Sequence, residues 1–406
     1  GDVYKRQEYN FCHLHNHTQF SMLQSTIKIT DLVDLTYKNN MNAVAVTDLG
    51  NMMGAFRFIS EVKKVNQKID EENKSLDEKK QHIKPIVGCI LNVCEDRLNK
   101  NYRDNGYQMV FLAKNKKGYD NLSKLSSLGY TEGFYYVPRV DKELILKYKS
   151  DLIVLSGNLY GEISSKILKV GKAAAEQSLI WWRKNFKDDF YLEINRHNQQ
   201  DENVVNEVLL NLSNQYSIDL IATNSTYYLQ KNEADAHDIL LCVRDGEKLA
   251  TPKGRGRGFR YGLSNDQYYF KSAAEMKDLF ADIPQSIKNI NDLVQKITSF
   301  DLSNEVQLPK FQIPKEFDNG ENGSGENEYL KYLTFHGANK RYGVVSDELK
   351  ERIEFELETI KNTGYPGYFL IVEDFIRKAR EMNVSVGPGS CLLYTSPSTR
   401  DREKSR

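Results

Sequence analysis

Short runs of β-branched and aliphatic residues alternate with segments of helical period through the first half of the chain, the pattern of βα units around a parallel sheet. Runs at 10–15, 43–47, 85–93, 108–113, 152–156, 190–194 and 220–223 predict strands. Between them, Thr30 and Asp31 predict the cap of a helix running to Asn39, and Asp201 opens one in which Val204, Val205, Val208, Leu209 and Leu212 recur at helical spacing. Seven such strands predict a closed or nearly closed α/β barrel, whose chemistry sits at the C-terminal strand ends. Those positions are His15, His17, Asp48, Gln108, Ser156, Asn158, Glu193, Asn195, Asn224 and Ser225.

From Pro252 the texture changes to a Gly-rich basic loop, PKGRGRGFRYG, and then to helical segments at 272–280 and 284–297. Gly320, Gly323 and Gly325 among acidic and Asn residues make 318–328 read as a flexible connector. An amphipathic helix is expected over 346–362, with Ile353, Leu357 and Ile360 on one face. The GYPG at 364–367 stops it, and a second helix runs to Met382.

Composition narrows the class. With 406 residues, 40% hydrophobic and 28% charged, the chain can bury a sizeable core, which excludes a disordered or fibrous protein. Lys+Arg and Asp+Glu both number 56, so any attraction to nucleic acid has to be local. A mean hydropathy of −0.60 and apolar runs of only about five residues, against the roughly 20 that a membrane span needs, predict a soluble protein. Five cysteines without a CxxC pair suggest neither a disulfide framework nor a zinc ribbon, as suits a reducing cytoplasm. The termini read as foreign: DNA encoding Asp2 to Gln7, reverse-complemented and read out of phase, encodes Cys391 to Ser396, as a sequencing adapter at both ends of a fragment would. Residues 1–7 and 391–406 are therefore expected to be adapter-derived tails.

The densest local chemistry is His13-Leu14-His15-Asn16-His17. Residues two apart on a strand face one side, so His15 and His17 are placed to chelate one cation if they continue the first strand. Only Asp48 and Glu193 offer further ligands, and His82, His197, His237 and His336 fall in other contexts. A hydrogen-bonded pair is the expected role. Lys253, Arg255, Arg257 and Arg260, with Phe259 and Tyr261 beside them, are candidates for holding phosphates and stacking a base, against a plain solvated basic loop. Gly387 and Gly389, after a short strand at 384–386, are candidates for a phosphate cradle, against a simple turn. Cys89 and Cys94 read as core, and so does the aromatic cluster of Tyr365, Tyr368 and Phe369.

In order, the blocks HLHNHTQFSML, AVAVTDLGNMMGAF, IKPIVGCILNV, LSNDQYYFKSAAEMKDLFADIP and GYPGYFLIVEDFIRKAREMNVSVGPG strongly resemble the alpha subunit family of bacterial DNA polymerase III. The resemblance covers residues 8–390. It implies an N-terminal polymerase-and-histidinol-phosphatase (PHP) domain, a distorted (βα)7-type barrel with its C-terminal extension over 8–275, then the mostly helical start of a polymerase palm over 276–390. Where active PHP domains place metal ligands, this chain keeps His15 and His17 but has Gln24, Leu49, Ile90, Gln108, Asn158, Ser225 and Tyr227 at the other positions. The resemblance thus implies an unoccupied metal centre and no catalytic residue in the fragment, with the Mg²⁺-binding palm carboxylates of the full-length protein lying further on. It implies DNA, deoxynucleotides, a proofreading exonuclease, a sliding clamp and other replicase subunits as partners of that protein. Two rival readings are a free-standing metal-dependent phosphoesterase or 3′-5′ exonuclease, and a docking module for the proofreading exonuclease.

Overall fold

The protein is described by a computed structural model over residues 11–77, 79–254, 256–303, 309–318 and 324–387. Both tails lie outside the described residues. Two compact units divide between Ser303 and Asn304, rather than at the 275/276 boundary expected from the sequence.

In the first unit a seven-stranded mixed sheet comprises β1 (Ala43–Leu49), β2 (Lys84–Cys94), β3 (Tyr107–Ala113), β4 (Arg139–Asp141), β5 (Leu152–Leu155), β6 (Phe190–Asn195) and β7 (Leu220–Thr223). The order is β1-β2-β3-β5-β6-β7, with β4 on β2. The expected all-parallel sheet is corrected at β3, which runs antiparallel to both β2 and β5. Residues 95–106 carry no crossover helix, and a parallel return would need one. Reversal of β3 puts Gln108, at its start, beside the C-terminal ends of its neighbours.

The strand expected at 10–15 is also corrected. Over its described part this segment is an irregular strap that divides its hydrogen bonds between two elements. On one side Ala45 N donates to His13 O and Thr47 N to Asn16 O; on the other His17 N donates to Thr226 O and Thr226 N to His15 O. The strap thereby bonds both to β1 and to the chain just beyond β7, and the curled sheet is joined through it.

Helices cover the outside. The first, Ile29–Lys38, begins after Lys28 without a side-chain cap, so Thr30 and Asp31 lie inside it. Along Gln200–Tyr216 the buried stripe is Glu202, Val205, Asn206, Leu209 and Leu212, and Val204 faces out at 48% exposure. Ala273–Leu279 starts with a capping box of Ser272 and Glu275. Pro284–Gln295 packs on β7, where Asn289 donates to Leu220 O at 2.8 Å, and Lys84 Nζ reaches Val294 O and Ile297 O. These last two helices therefore share the barrel's core.

Two side chains bind otherwise separate pieces of this unit. Glu162, 3% exposed, takes Lys142 and Lys166 at 2.8 Å and Trp182 Nε1 at 2.7 Å, and these cations pull its carboxyl down to about 2 against the upward push of burial. Arg139, 1% exposed, donates to the carbonyls of Gly133, Asp104, Arg97 and Asn99.

The second unit carries Ser324–Tyr342, Asp347–Thr363 and Pro366–Glu381. The expected connector at 318–328 is corrected from Ser324 onward, which is helical; residues 319–323 lie outside the described residues. Ser346 caps the second helix through Leu349 N, and Gly364, at φ +76°, ends it in the left-handed conformation that glycine adopts without penalty. Ile353, Leu357 and Ile360 are half-buried as a stripe. Tyr365, Tyr368 and Phe369, expected in the core, are 42–48% exposed, and Val384 and Val386 lie in exposed coil rather than a strand.

Candidate functional site

The strap, β1, β6 and the chain after β7 bring the sequence's candidate ligands to one rim. Asp48, at the end of β1 and 1% exposed, accepts from Thr18 N at 2.6 Å, Thr18 Oγ1 at 2.7 Å and Ser21 Oγ at 2.6 Å. Burial pushes its carboxyl above the usual range even so. Both oxygens are engaged in holding the turn after the strap.

His15 and His17 stand with ring centroids 5.3 Å apart. His15 Nδ1 meets Glu193 Oε1 at 2.6 Å, and Thr223 Oγ1 donates to the same oxygen at 2.6 Å. Burial raises the Glu193 carboxyl, but His15, Thr223 and Asn195 outweigh it and hold the group below its ordinary value. The His17 ring stacks on Tyr227 at 4.1 Å, with Nδ1 3.3 Å from Thr226 O. Burial, helped by His15, holds its imidazole well below the normal range, so it is neutral at pH 7.

A third histidine, unassigned by sequence reasoning, completes this rim. His197 follows β6 and is 1% exposed; Nδ1 meets Glu202 Oε1 at 2.6 Å, and Nε2 accepts from Ser225 N at 3.2 Å. Its ring stacks on Tyr268 at 4.2 Å. The available signal was its position two residues past a strand end, with a helix bearing Glu202 immediately behind.

The positions that depart from the expected ligands have other occupations. Gln24 gives its carbonyl to His237 Nε2, Ile90 is core, and Asn158 donates to Ser225 Oγ. Gln108 donates its backbone N–H to Tyr160 O. Among the described residues no group of three or more His, Cys, Asp or Glu could hold a metal ion. The donor set does not fit the hydrolytic centre of an active PHP domain, which needs several anionic or imidazole ligands converging on one point.

The basic loop is only partly a surface feature. Arg260 is 5% exposed and grips Asp238 through both terminal nitrogens at 2.8 and 2.7 Å, with Nε on Thr251 O. Its expected role in contacting DNA is corrected: the guanidinium ties the loop to the helix Ala234–Asp245. Lys253 shares Asp238 at 3.2 Å, Arg257 is exposed, and Arg255 lies outside the described residues. Phe259 and Tyr261 are 49% and 39% exposed. Gly387 is described and has open space around it, whereas Gly389 lies outside the described residues.

Comparison with known proteins agrees with this arrangement. Residues 13–197 match the PHP domain family, and residues 328–392 match the family described as the bacterial DNA polymerase III alpha NTPase domain. The DNA polymerase III subunit alpha of Borreliella burgdorferi is 36% identical over 384 residues, covering 93% of this chain and 31% of that protein. Those of Helicobacter pylori and Treponema pallidum are each 35% identical, covering 93% and 94% of this chain and 31% and 30% of their own lengths. The chain spans about a third of the length of the curated relatives it matches. With a PHP domain match followed by a match to the DNA polymerase III alpha NTPase domain, and alpha subunits similar over 93% of its length, it belongs to the DNA polymerase III alpha subunit family.

Proposed function

We propose that the chain is the N-terminal part of a replicative DNA polymerase III alpha subunit, in which the PHP barrel is a metal-free scaffold. In the full-length protein, Mg²⁺ on the palm's carboxylates would supply the electrostatic stabilisation for template-directed nucleotidyl transfer. No residue described here is assigned a role in that step. In this reading the barrel with its C-terminal extension ends at the unit boundary after Ser303, and the unit that follows begins the palm. DNA, deoxynucleotides, a proofreading exonuclease and a sliding clamp are the partners of the complete cytoplasmic enzyme. No helix among the described residues is long and apolar enough to cross a membrane.

The observation that carries the metal-free reading is that no group of three or more His, Cys, Asp or Glu among the described residues could hold a metal ion, with both oxygens of Asp48 held by Thr18 and Ser21 and both nitrogens of His197 by Glu202 and Ser225. A free-standing phosphoesterase would need those groups turned toward a shared cation. Docking of a proofreading exonuclease on the barrel is compatible with the scaffold role. The test is elemental analysis after chelation and reloading with Mn²⁺ or Zn²⁺. The expected result is no stoichiometric metal and no phosphatase or 3′ exonuclease activity; stoichiometric metal with either activity overturns the reading.

From the basic loop, Lys253 and Arg257 are proposed to give weak, salt-sensitive contacts to DNA in the complete enzyme, and Gly387 to belong to a nucleotide loop. Four cations on glycine hinges suggested this; two of them, Lys253 and Arg257, remain described with exposed side chains.

A further inference from the structure

The connection between β2 and β3 carries, at Asn105 and Gly106, the one Asn-Gly pair among the described residues. Asn105 is exposed, and Gly106 enters β3 at φ +71°, where a Cβ would stand 2.7 Å from the carbonyl carbon of Val93. Glycine alone fits that approach, and with no side chain its backbone nitrogen is open to a neighbouring group of the same chain.

The contacts around the pair add a chemistry that the two residues alone do not have. Gly106 N donates to Asp104 Oδ1 at 2.9 Å, so a carboxylate already holds the proton of that nitrogen. Arg103 Nε donates to Asn105 Oδ1 at 3.2 Å, so a guanidinium polarises the side-chain carbonyl. Asp104 is itself fixed, because its Oδ2 accepts from Glu95 N at 3.0 Å and its main-chain carbonyl from Arg139 Nη1 at 3.1 Å. Arg103 lies over the Tyr136 ring at 4.7 Å and has no carboxylate partner among the described residues. Base, electrophile and charge-stabilising donor thus come from consecutive residues of one loop.

We propose that Asn105 is a self-modifying residue, which loses its amide nitrogen with Asp104 as the base and Arg103 as the donor to the developing oxyanion. The Gly106 nitrogen gives its proton to Asp104 and bonds to Asn105 Cγ. The Cγ–Nδ2 bond breaks, and ammonia leaves carrying that proton, which closes a cyclic imide. Water then opens the ring, its hydroxyl going to an imide carbonyl carbon and its hydrogen returning to the Gly106 nitrogen. Opening at Cγ yields aspartate; opening at the main-chain carbonyl of residue 105 yields isoaspartate, whose main chain runs through Cβ. Aspartate would give Arg103 a carboxylate where an amide oxygen now sits, and isoaspartate would lengthen the chain at the crowded entry to β3. The loop therefore undergoes a slow, irreversible change of charge set by the age of the molecule.

The test ages the 406-residue chain at neutral pH and maps its peptides by mass spectrometry, which separates residue 105 from the Asn-Gly pairs at 319–320 and 322–323. Conversion of Asn105 to aspartate and isoaspartate, the latter confirmed by methyltransferase labelling, is expected to run several-fold faster in the folded chain than in the same chain in urea. Asp104→Asn keeps an acceptor oxygen but not the base, and should slow conversion roughly tenfold or more, within what a positioned base supplies. Arg103→Gln should slow it as well. Asn105→Gln, whose longer side chain would have to close a larger ring, should stay unmodified. Circular dichroism melts confirm that each variant is folded. Conversion no faster in the folded chain than in urea, or unchanged by Asp104→Asn, overturns the proposal; an unchanged rate in Arg103→Gln overturns the role given to that residue.

Discussion

His15 and Glu193, 178 positions apart in sequence, meet through Nδ1 and Oε1 at 2.6 Å with both side chains buried. The contact ties the strap to β6 across the barrel's interior. Glu193 Oε1 also accepts from Thr223, so one oxygen gathers the strap, β6 and β7. Removing it leaves several donors without their acceptor in a place water reaches poorly. Glu193→Ala is expected to cost about 1–3 kcal/mol, the price of buried groups losing their partners, and Glu193→Gln less than that. Urea denaturation of both variants measures it, and an unchanged midpoint for the alanine variant would refute the assignment.

Glu162 gives a prediction with a definite pH window. Its carboxyl sits at about 2 in the folded chain against an ordinary value of 4.5, held down by Lys142 and Lys166 despite burial. A depressed acid contributes stability that is complete above its unfolded pKa, near pH 4.5, and is lost as pH falls toward 2. Glu162→Gln should therefore flatten the acid limb of the stability profile between those values. At neutral pH it should lose about 3–5 kcal/mol, the scale for breaking a buried ion pair from one side. Melts from pH 2.5 to 7 test both statements.

Arg260 and Arg257 separate under mutation. Arg260→Ala strands Asp238 beneath the loop and is expected to lower the melting temperature by several degrees, since a loss of about 1–3 kcal/mol is felt directly in a domain of this size. Arg257→Ala should leave the melt unchanged. In the complete polymerase it should reduce the slope of log K against log salt for single-stranded DNA by about 0.7. A salt slope that stays the same would leave Arg257 as a solvated side chain.

Arg139 satisfies four carbonyls from residues 97–104 and from Gly133 at once. Arg139→Met keeps bulk but removes every donor. Hydrogen exchange should accelerate selectively across residues 95–106 and 131–138, with the helices on β7 unaffected. Uniform acceleration over the whole barrel would mean that the arginine supports global stability instead.

The strands from Ala43 to Thr223 were legible because their apolar runs are bounded by polar turns, and six match within about two residues. The direction of β3 was not legible from its own residues, because side-chain alternation is the same in either direction; only the lack of a helix over 95–106 signalled it. Arg139–Asp141 was missed because three residues with one aliphatic side chain carry no periodic signal. At the site, Asp48 and Glu193 do lie on the strands expected for them, whereas His15 and His17 stand on the irregular strap and not at a strand end. His197 and Arg260 were not legible, because each depends on a partner, Glu202 or Asp238, whose placement is set by the packing of a whole helix.

The strap has a consequence for the order in which the barrel assembles. Its carbonyls and amides lie near the start of the chain, but the acceptor of His17 N is Thr226, 209 positions later. During synthesis the strap leaves the ribosome before any of the seven strands, yet half of its backbone partners do not exist until β7 has been made. It can dock early only on β1, through Ala45 and Thr47. Joining the strap to the chain beyond β7 is therefore a ring closure over 209 positions that waits for the second partner to be made, and a chain arrested before residue 226 would present an open sheet with an unpaired edge.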